Sequence, residues 1–578
     1  MLGKLVSSIN HIYKKNNLYL YLGTVLLFFP MYNSENVNGT GLGIVYNIPV
    51  WIVATIFITA GLFLFANKKQ LTVPTLYGYF LIFPIIILIT GLVNEVEQPI
   101  AWLFRVTYIL GGVLFLFSLF QFKISEKTIS HCLFILILAT GLHALIGMLQ
   151  INIPWLLPPW IEQQSDNVPR GFFQQINVQA SFLATGLIII LYCISRPFFC
   201  YSSMFTKIIV VISFSLAVYI IISSGSRIGA LSMLLTIPLV LWSRKKQLLS
   251  HKKLLLVLFI FSCSAVFLGL SGVDKTIDKT AQLTTNTYSS ARLSIYTIGT
   301  ELVSQKPIYG YGVGGFLRAW NNQSTNFFKR HPNAKMPGYL THPHNELLFW
   351  MIEGGLLSLF GLLAVIVGLG IALYRIGFQR GGAYAAMLLP ISLHTQVELP
   401  FYISAIHWFL WLFLVFLILR HQSKTIKVPL SLSGVNLVRS VAVCLTLGVT
   451  LFMINSFQAQ TELKNFLSDK NNQQALTLKI ALNNLYFRPY TELIIMQSML
   501  KSAVINKDTE KVLLYEKWAK EQVERNPGLN LYIGLFVASD FLRPKEKGCD
   551  AVKAGLAMYA HYEAFQKAKL ACVKNTVN

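Results

Sequence analysis

Thr341-His-Pro-His-Asn-Glu-Leu-Leu-Phe-Trp-Met-Ile-Glu-Gly-Gly355 runs directly into nineteen uncharged residues, Leu356–Tyr374. A helix needs about 20 mostly apolar residues to cross the hydrocarbon core of a bilayer. The stretch therefore reads as a spanning helix with polar groups at its lip: two histidines, an asparagine and a glutamate. Charge at a membrane edge is costly and usually marks a pathway or a site.

The rest of the chain fits that reading. It has 578 residues, of which 54% are hydrophobic and 12% charged, against about 25% charged in a soluble domain. Mean hydropathy is +0.56. The expected fold class is an all-α polytopic membrane protein. Thirteen spanning helices are predicted, at 18–32, 47–66, 74–93, 100–121, 129–150, 176–195, 206–223, 226–242, 254–272, 346–374, 383–399, 403–419 and 436–455. The basic N-terminus (Lys4, Lys14, Lys15) enters the first segment without a small-residue cleavage pattern, so 18–32 is expected to span and not to be removed.

Lys and Arg in short loops stay cytoplasmic. Lys68-Lys69, Lys123 with Lys127, Arg196 with Lys207, Arg244-Lys245-Lys246 with Lys252-Lys253, Arg375 with Arg380, and Arg420 with Lys424 and Lys427 fall in alternate loops. The opposite loops 33–46 and 94–99 carry none. This places the N-terminus in the cytoplasm and everything after residue 455 outside. The net charge of +24 is then partly a topology signal, and nucleic-acid binding explains it poorly.

Two domains are expected: a membrane domain, 1–455, including a long external loop at 273–345 with short helices, and a soluble helical domain, 456–578. In the latter, Phe487-Arg-Pro-Tyr-Thr-Glu-Leu493 and Arg525-Asn-Pro-Gly-Leu-Asn-Leu531 set prolines 38 residues apart. Stacked tetratricopeptide-like hairpins, with a repeat of about 34 residues, or a plain helical bundle both accommodate that spacing. Of seven cysteines only Cys549 and Cys572 fall in the exported tail. Two thiols alone in an oxidising compartment favour a disulfide; two separately buried thiols are the alternative.

The candidate site residues gather on the outer side. Arg227 sits in Ser223-Ser-Gly-Ser-Arg-Ile-Gly229, between two spans. Arg292 precedes the glycine-rich run Pro307-Ile-Tyr-Gly-Tyr-Gly-Val-Gly-Gly-Phe316, which lacks the Lys-Ser/Thr ending of a Walker loop and suits a tight re-entrant turn. Arg170 precedes a phrase containing Gln175 and Asn177, and Arg105 lies about one turn inside the fourth span. Guanidinium groups hold phosphate oxygens in a bidentate way and keep their charge; the alternative is snorkelling to lipid head groups. His344 is the candidate base, able to take and briefly hold a hydroxyl proton near neutral pH, with Asn345 and Glu346 beside it. A helix-capping cluster, or a metal pair with His342, are the other readings. His394-Thr-Gln-Val-Glu-Leu-Pro-Phe-Tyr402 adds Glu398 and Tyr402.

These phrases carry a family likeness. His342-Pro-His-Asn-Glu-Leu-Leu-Phe-Trp-Met-Ile-Glu-Gly-Gly355 resembles the signature of the O-antigen ligase and polymerase superfamily. Arg170-Gly-Phe-Phe-Gln-Gln-Ile-Asn-Val-Gln-Ala-Ser-Phe-Leu183 resembles a box of bacterial protein O-oligosaccharyltransferases, and His394–Tyr402 resembles their second box. The likeness covers roughly residues 160–420. The chain departs from it at Ile176, where the family usually has Pro, and at Pro343, where it often has Ala. The resemblance implies transfer of an oligosaccharide from undecaprenyl pyrophosphate to a Ser or Thr hydroxyl of an exported, pilin-like protein at a Gram-negative inner membrane. It implies inversion at the anomeric carbon without a metal or cofactor. His344 matches the essential histidine, Arg227 and Arg292 match pyrophosphate-binding arginines, and Gln175 and Tyr402 match positions important in relatives. On this reading Arg105, Arg170, Asn177, His342, Asn345 and Glu398 complete the substrate-binding set. All are expected to meet in one pocket on the outer leaflet. An O-antigen ligase acting on lipid A core shares the donor and the histidine; a glycan polymerase and a secondary transporter are further alternatives.

Overall fold

In a computed structural model the chain is described at residues 39–94, 98–158, 168–272, 291–331, 340–468, 478–525, 527–543 and 549–559, with single positions between and around them. Most of the expected first span, 18–32, lies outside the described residues, as does Cys572.

The described chain is helical, and twelve of the thirteen expected spans coincide with helices. They are α1 (Asn47–Lys68), α2 (Tyr77–Val93), α3 (Pro99–Gln121), α4 (Glu126–Asn152), α5 (Ile176–Ile194), α6 (Met204–Ser223), α7 (Arg227–Ser243) and α8 (Lys252–Leu268). Two shorter helices occupy the long loop, α9 (Ala291–Gln305) and α10 (Phe316–Arg330), and the membrane set resumes with α11 (Glu346–Ile376), α12 (Phe378–His394), α13 (Ala405–Leu419) and α14 (Leu432–Ser468). Eight are at least 18 residues long and apolar enough to cross a bilayer: α1, α3, α4, α5, α6, α11, α14, and α13 extended to Gln422. α2, α7, α8 and α12 have 17 residues each, at the lower limit for a span. The protein is an all-α polytopic membrane protein. Two segments differ clearly from their expected limits: α14 continues to Ser468, past the expected end at 455, and α12 starts at Phe378, after Gly377 with φ 84°, and ends at His394, so Glu398 lies in the turn beyond it and not in the helix.

The chain folds as two compact units, one of residues 1–82, 108–281 and 363–457, the other of residues 83–107, 282–362 and 458–578. In the first, α5 has no charged residue and is buried at every position from Val178 to Ile194, its polar Gln179, Ser181 and Thr185 included, because α4, α6, α7 and α12 pack against it. A helix without a charged face belongs at such a centre. Two short strands, β1 (Gln70–Pro74) and β2 (Ser423–Lys427), pair antiparallel, with Gln70 opposite Lys427. The Gln121 side chain takes the Thr72 N–H at 3.1 Å and donates to the Thr72 carbonyl at 2.9 Å, so an amide side chain closes the outer edge of β1 as a third strand would.

In the second unit the glycine-rich turn docks on a break in α11. Gly355 has φ 66° and ψ −166°, outside any helix. The backbone groups freed there are satisfied by the turn: Tyr311 N–H donates to the Ile352 carbonyl at 2.9 Å, and Leu356 N–H donates to the Pro307 carbonyl at 2.7 Å. Gly310 and Gly355 permit the approach. A Cβ at residue 355 would lie 2.1 Å from the Ile308 carbonyl oxygen, and one at 310 would lie 2.6 Å from that of Ile352. Gly355→Ala is therefore expected to destabilise the protein by several kcal/mol, since backbone atoms must move and the positive φ is lost. A thermal midpoint in detergent equal to that of the wild type would show that the turn does not depend on this contact.

After a short helix at Lys479–Asn483, four longer tail helices complete the second unit: α15 (Arg488–Ile505), α16 (Thr509–Arg525), α17 (Leu529–Leu542) and α18 (Cys549–Tyr559). Each packs on the next. The two prolines noted in the sequence sit at the starts of helix pairs, Pro489 in the first turn of α15 and Pro527 just before α17. The Pro527 carbonyl accepts from Asn321 Nδ2 on α10 at 2.7 Å and from Tyr559 Oη at 2.8 Å, tying the tail to the loop helices. Glu516 is buried, which alone would raise its pKa, but hydrogen bonds from Arg543 and Lys520 outweigh burial and hold it below the usual carboxylate range. Cys549 is disulfide-bonded.

Candidate functional site

In the second unit, residues 341–345 end at the N-terminus of α11. Asn345 is its cap: the side-chain oxygen accepts the Leu348 N–H at 2.8 Å, satisfying one of the donors a helix start leaves open. His344, just before it, has φ 52°, a left-handed backbone that costs an L-residue about 1–2 kcal/mol. Its N–H donates to Nδ1 of His342 at 3.3 Å, and the two rings stand 4.4 Å apart at 69°. His342 thus braces the turn that presents His344. Glu346 accepts from Trp350 Nε1 at 2.7 Å. A strained, non-glycine residue at a helix lip is the kind of feature that clusters at functional sites.

Behind this turn lies a buried ion pair. Arg105 Nη1 donates to Glu353 Oε2, and its guanidinium stacks over the Phe349 ring at 4.2 Å. Glu353 is fully buried, and its other oxygen accepts the Phe316 N–H at 3.4 Å. The Glu353 carboxylate therefore links α3, α10 and the first turns of α11. Arg292 is the second residue of α9, which lies against the start of α11 where Gly299 meets Leu348.

In the first unit the two distant boxes meet. Asn177, in the first turn of α5, donates to Glu398 Oε2 at 3.1 Å and accepts from Ser226 Oγ at 2.8 Å. Ser226 caps α7 by accepting the Gly229 N–H at 3.2 Å, so Asn177 fixes the helix start that carries Arg227. Glu398 Oε2 lies 3.7 Å from His394 Nε2. The chain continues inward through Ser181 Oγ, 2.9 Å from His394 Nδ1, to His407 Nε2 at 3.3 Å. His407 Nε2 also lies 3.0 Å from the Val178 carbonyl, which can only accept, so that nitrogen carries the proton and Nδ1 takes the Ser404 hydroxyl at 3.0 Å.

The remaining candidates are positioned nearby in sequence and structure. The turn at Arg170 is clamped by buried Gln150, whose Oε1 accepts the Arg170 and Gly171 N–H groups at 2.8 Å each. Phe173 anchors it by stacking on His143 at 4.6 Å. Gln175 precedes α5, and its side-chain oxygen is buried without a hydrogen-bond partner among the described residues. Tyr402 stacks on Tyr108 at 6.0 Å and 8°.

The expected set therefore divides. Arg170, Gln175, Asn177, Arg227, Glu398 and Tyr402 belong to the first unit, and Arg105, Arg292, His342, His344 and Asn345 to the second. Glu353, Gln150, Ser181 and His407 were not predicted as site residues. Glu353 had a usable signal, a carboxylate two turns inside an apolar helix; the others are ordinary polar residues whose partners are far away in sequence.

A family model described as O-antigen ligase matches residues 212–366, a stretch that contains Arg227, Arg292 and His344. A second, described as the C-terminal part of a virulence factor membrane-bound polymerase, matches residues 383–571. A comparison with curated proteins finds no match. The two models follow one another along the chain and cover both the His344 motif and the tail: the chain belongs to the O-antigen ligase superfamily, whose members are membrane enzymes that transfer glycans.

Proposed function

We propose that this enzyme moves an oligosaccharide en bloc from undecaprenyl pyrophosphate to Ser or Thr hydroxyls of exported, pilin-like proteins, at the periplasmic face of a Gram-negative inner membrane. The observation that carries the choice of acceptor class is the hydrogen bond between Asn177 and Glu398. It joins the two phrases that resemble protein O-oligosaccharyltransferases, at the start of the helix bearing Arg227.

In this mechanism the acceptor oxygen attacks the anomeric carbon as its proton passes to His344. The bond from that carbon to the pyrophosphate breaks, inverting the centre, and undecaprenyl pyrophosphate leaves with the electron pair. The leaving group is already activated, so charge stabilisation by preplaced cations is the largest contribution; Arg227 and Arg292 take that role. The N-terminus is cytoplasmic and the tail helices are periplasmic, where they dock the acceptor protein. No metal or cofactor takes part.

The family model for O-antigen ligases supports a second reading, in which the acceptor is lipid A core. Purified enzyme in liposomes, given one lipid-linked donor and either a pilin or lipid A core, separates them. Glycosylated pilin with unmodified core is the expected result; the reverse product pattern sinks the protein-acceptor reading.

A further inference from the structure

Three helices of the first unit share a pattern. α5, α7 and α12 pack on one another. One end of each carries one of Asn177, Arg227 and His394; the other carries a further arginine. Arg196 follows α5, Arg244 follows α7, and Arg380 lies in the first turn of α12. With 17 residues in α7, the two ends are about 26 Å apart, close to the thickness of a hydrocarbon core.

The arginine end is crowded with cations. Arg196 and Arg244 both approach Tyr192, with guanidinium carbons 5.7 and 5.6 Å from its ring. Arg244 is held by Ser195 through Nε at 2.9 Å and Nη2 at 3.1 Å. Gly382 on α12 meets Ser243, where an added Cβ would lie 2.8 Å from the serine Cβ, which brings Arg380 alongside. Arg420, at the end of α13, donates to Glu126 at 3.1 Å, and Arg196 donates to the same carboxylate at 2.8 Å. Four arginines against this one glutamate leave a surplus of 4 − 1 = 3 positive charges. Burial first, then the neighbouring Arg380 and Arg196, pull Arg244 below its ordinary pKa, with Tyr192 partly offsetting them. A bound anion would relieve that crowding.

An apolar cavity of about 90 Å³ starts beside the same cluster, lined by Phe57, Leu119, Ile124, Cys132, Leu136 and Phe413 among others, none of them charged. Ile124 belongs to both features: its carbonyl accepts from Arg420 Nη2 at 3.0 Å, and its side chain lines the cavity. Polar recognition at one end and a dry apolar space at the other match the two ends of a phospholipid.

We propose that this end of the bundle is a binding site for an anionic phospholipid, with its phosphodiester on Arg196, Arg244 and Arg380 and an acyl chain in the cavity beneath Ile124. The donor carrier reacts elsewhere, at the end of the helices that bears Arg227. Arginine forks suit phosphate oxygens, and an apolar cavity within a membrane bundle is filled more favourably by hydrocarbon than by water.

The full-length protein, purified in detergent and stripped of lipid, is titrated with dioleoyl phosphatidylglycerol, cardiolipin, phosphatidylcholine or inorganic phosphate while its thermal midpoint is followed. The two anionic lipids are expected to raise the midpoint by several degrees, and phosphatidylcholine and phosphate to leave it unchanged. Arg244→Gln with Arg380→Gln is expected to weaken the anionic-lipid response at least tenfold in concentration. Ala54 also lines the cavity; Ala54→Phe, which fills it, should remove the advantage of dioleoyl over dioctanoyl phosphatidylglycerol. If that variant does not fold, equal affinity of wild type for the two chain lengths disproves the acyl-chain half directly. Equal stabilisation by phosphatidylcholine, full reproduction by phosphate, or an unaltered response in the double arginine variant each overturns the proposal.

Discussion

His344→Ala is expected to slow glycan transfer by about 10²–10⁴-fold, the usual contribution of a positioned general base. The left-handed backbone at this residue, φ 52°, allows catalysis and folding to be separated. His344→Gly removes the same ring while relieving the strain, so it should be as slow as the alanine variant yet more stable than it by about 1 kcal/mol. On the proposed mechanism electrostatic stabilisation is the larger contribution, so Arg227→Ala and Arg292→Ala should each cost at least as much rate as His344→Ala. Single-turnover transfer from purified lipid-linked donor reads the rates, and thermal midpoints read the stabilities. Near-normal turnover in the glycine variant would show that His344 serves the turn and not the chemistry.

Arg105→Met is expected to be the most damaging single change for stability, at about 3–5 kcal/mol, because it leaves a buried carboxylate without its counter-ion. The Glu353 side chain is 1% accessible and that of Arg105 18%. Glu353→Gln should cost less, since an amide oxygen still accepts from Phe316. Arg105→Met combined with Glu353→Leu should recover most of the loss, because neither charge then remains buried. A double-mutant cycle on thermal midpoints measures the coupling. Additivity of the two single changes would remove the pair from the scaffold and return Arg105 to the substrate.

The membrane architecture was legible because hydropathy and loop charge are summed over whole segments. Helices α1 and α3 to α6 lie within a few residues of their expected limits, since composition alone sets an apolar run of that length. The prolines at 489 and 527 located tail helix starts for a local reason: a proline in or just before a first turn forfeits no helical hydrogen bond. The strand pair escaped notice. Ser423–Lys427 is exposed along its length, so it carries no burial pattern, and its partner lies more than 350 residues away. The break at Gly355 was equally hidden, because a glycine in an apolar run reads the same whether the helix continues or not; only the docked turn at 307–311 decides it. Of the candidate site residues, Arg227, His344 and Asn177 stand at helix starts, as the ends of the apolar runs placed them. The Asn177–Glu398 bond, 221 positions apart, and the Ser181–His407 contact could not be read from spacing.

The break in α11 changes what its 31 residues can accomplish. Unbroken, they would reach about 46 Å, well beyond a bilayer core; from Leu356 to Ile376 the remaining rod is about 31 Å, a close fit. The nine residues before Gly355 form a short pedestal of about 13 Å with His344 at its tip. On the proposed mechanism, pedestal length, and not the 21-residue rod, sets how far beyond the break an incoming hydroxyl meets its proton acceptor, and inserting one helical turn between Glu346 and Glu353 would move that meeting point by about 5 Å.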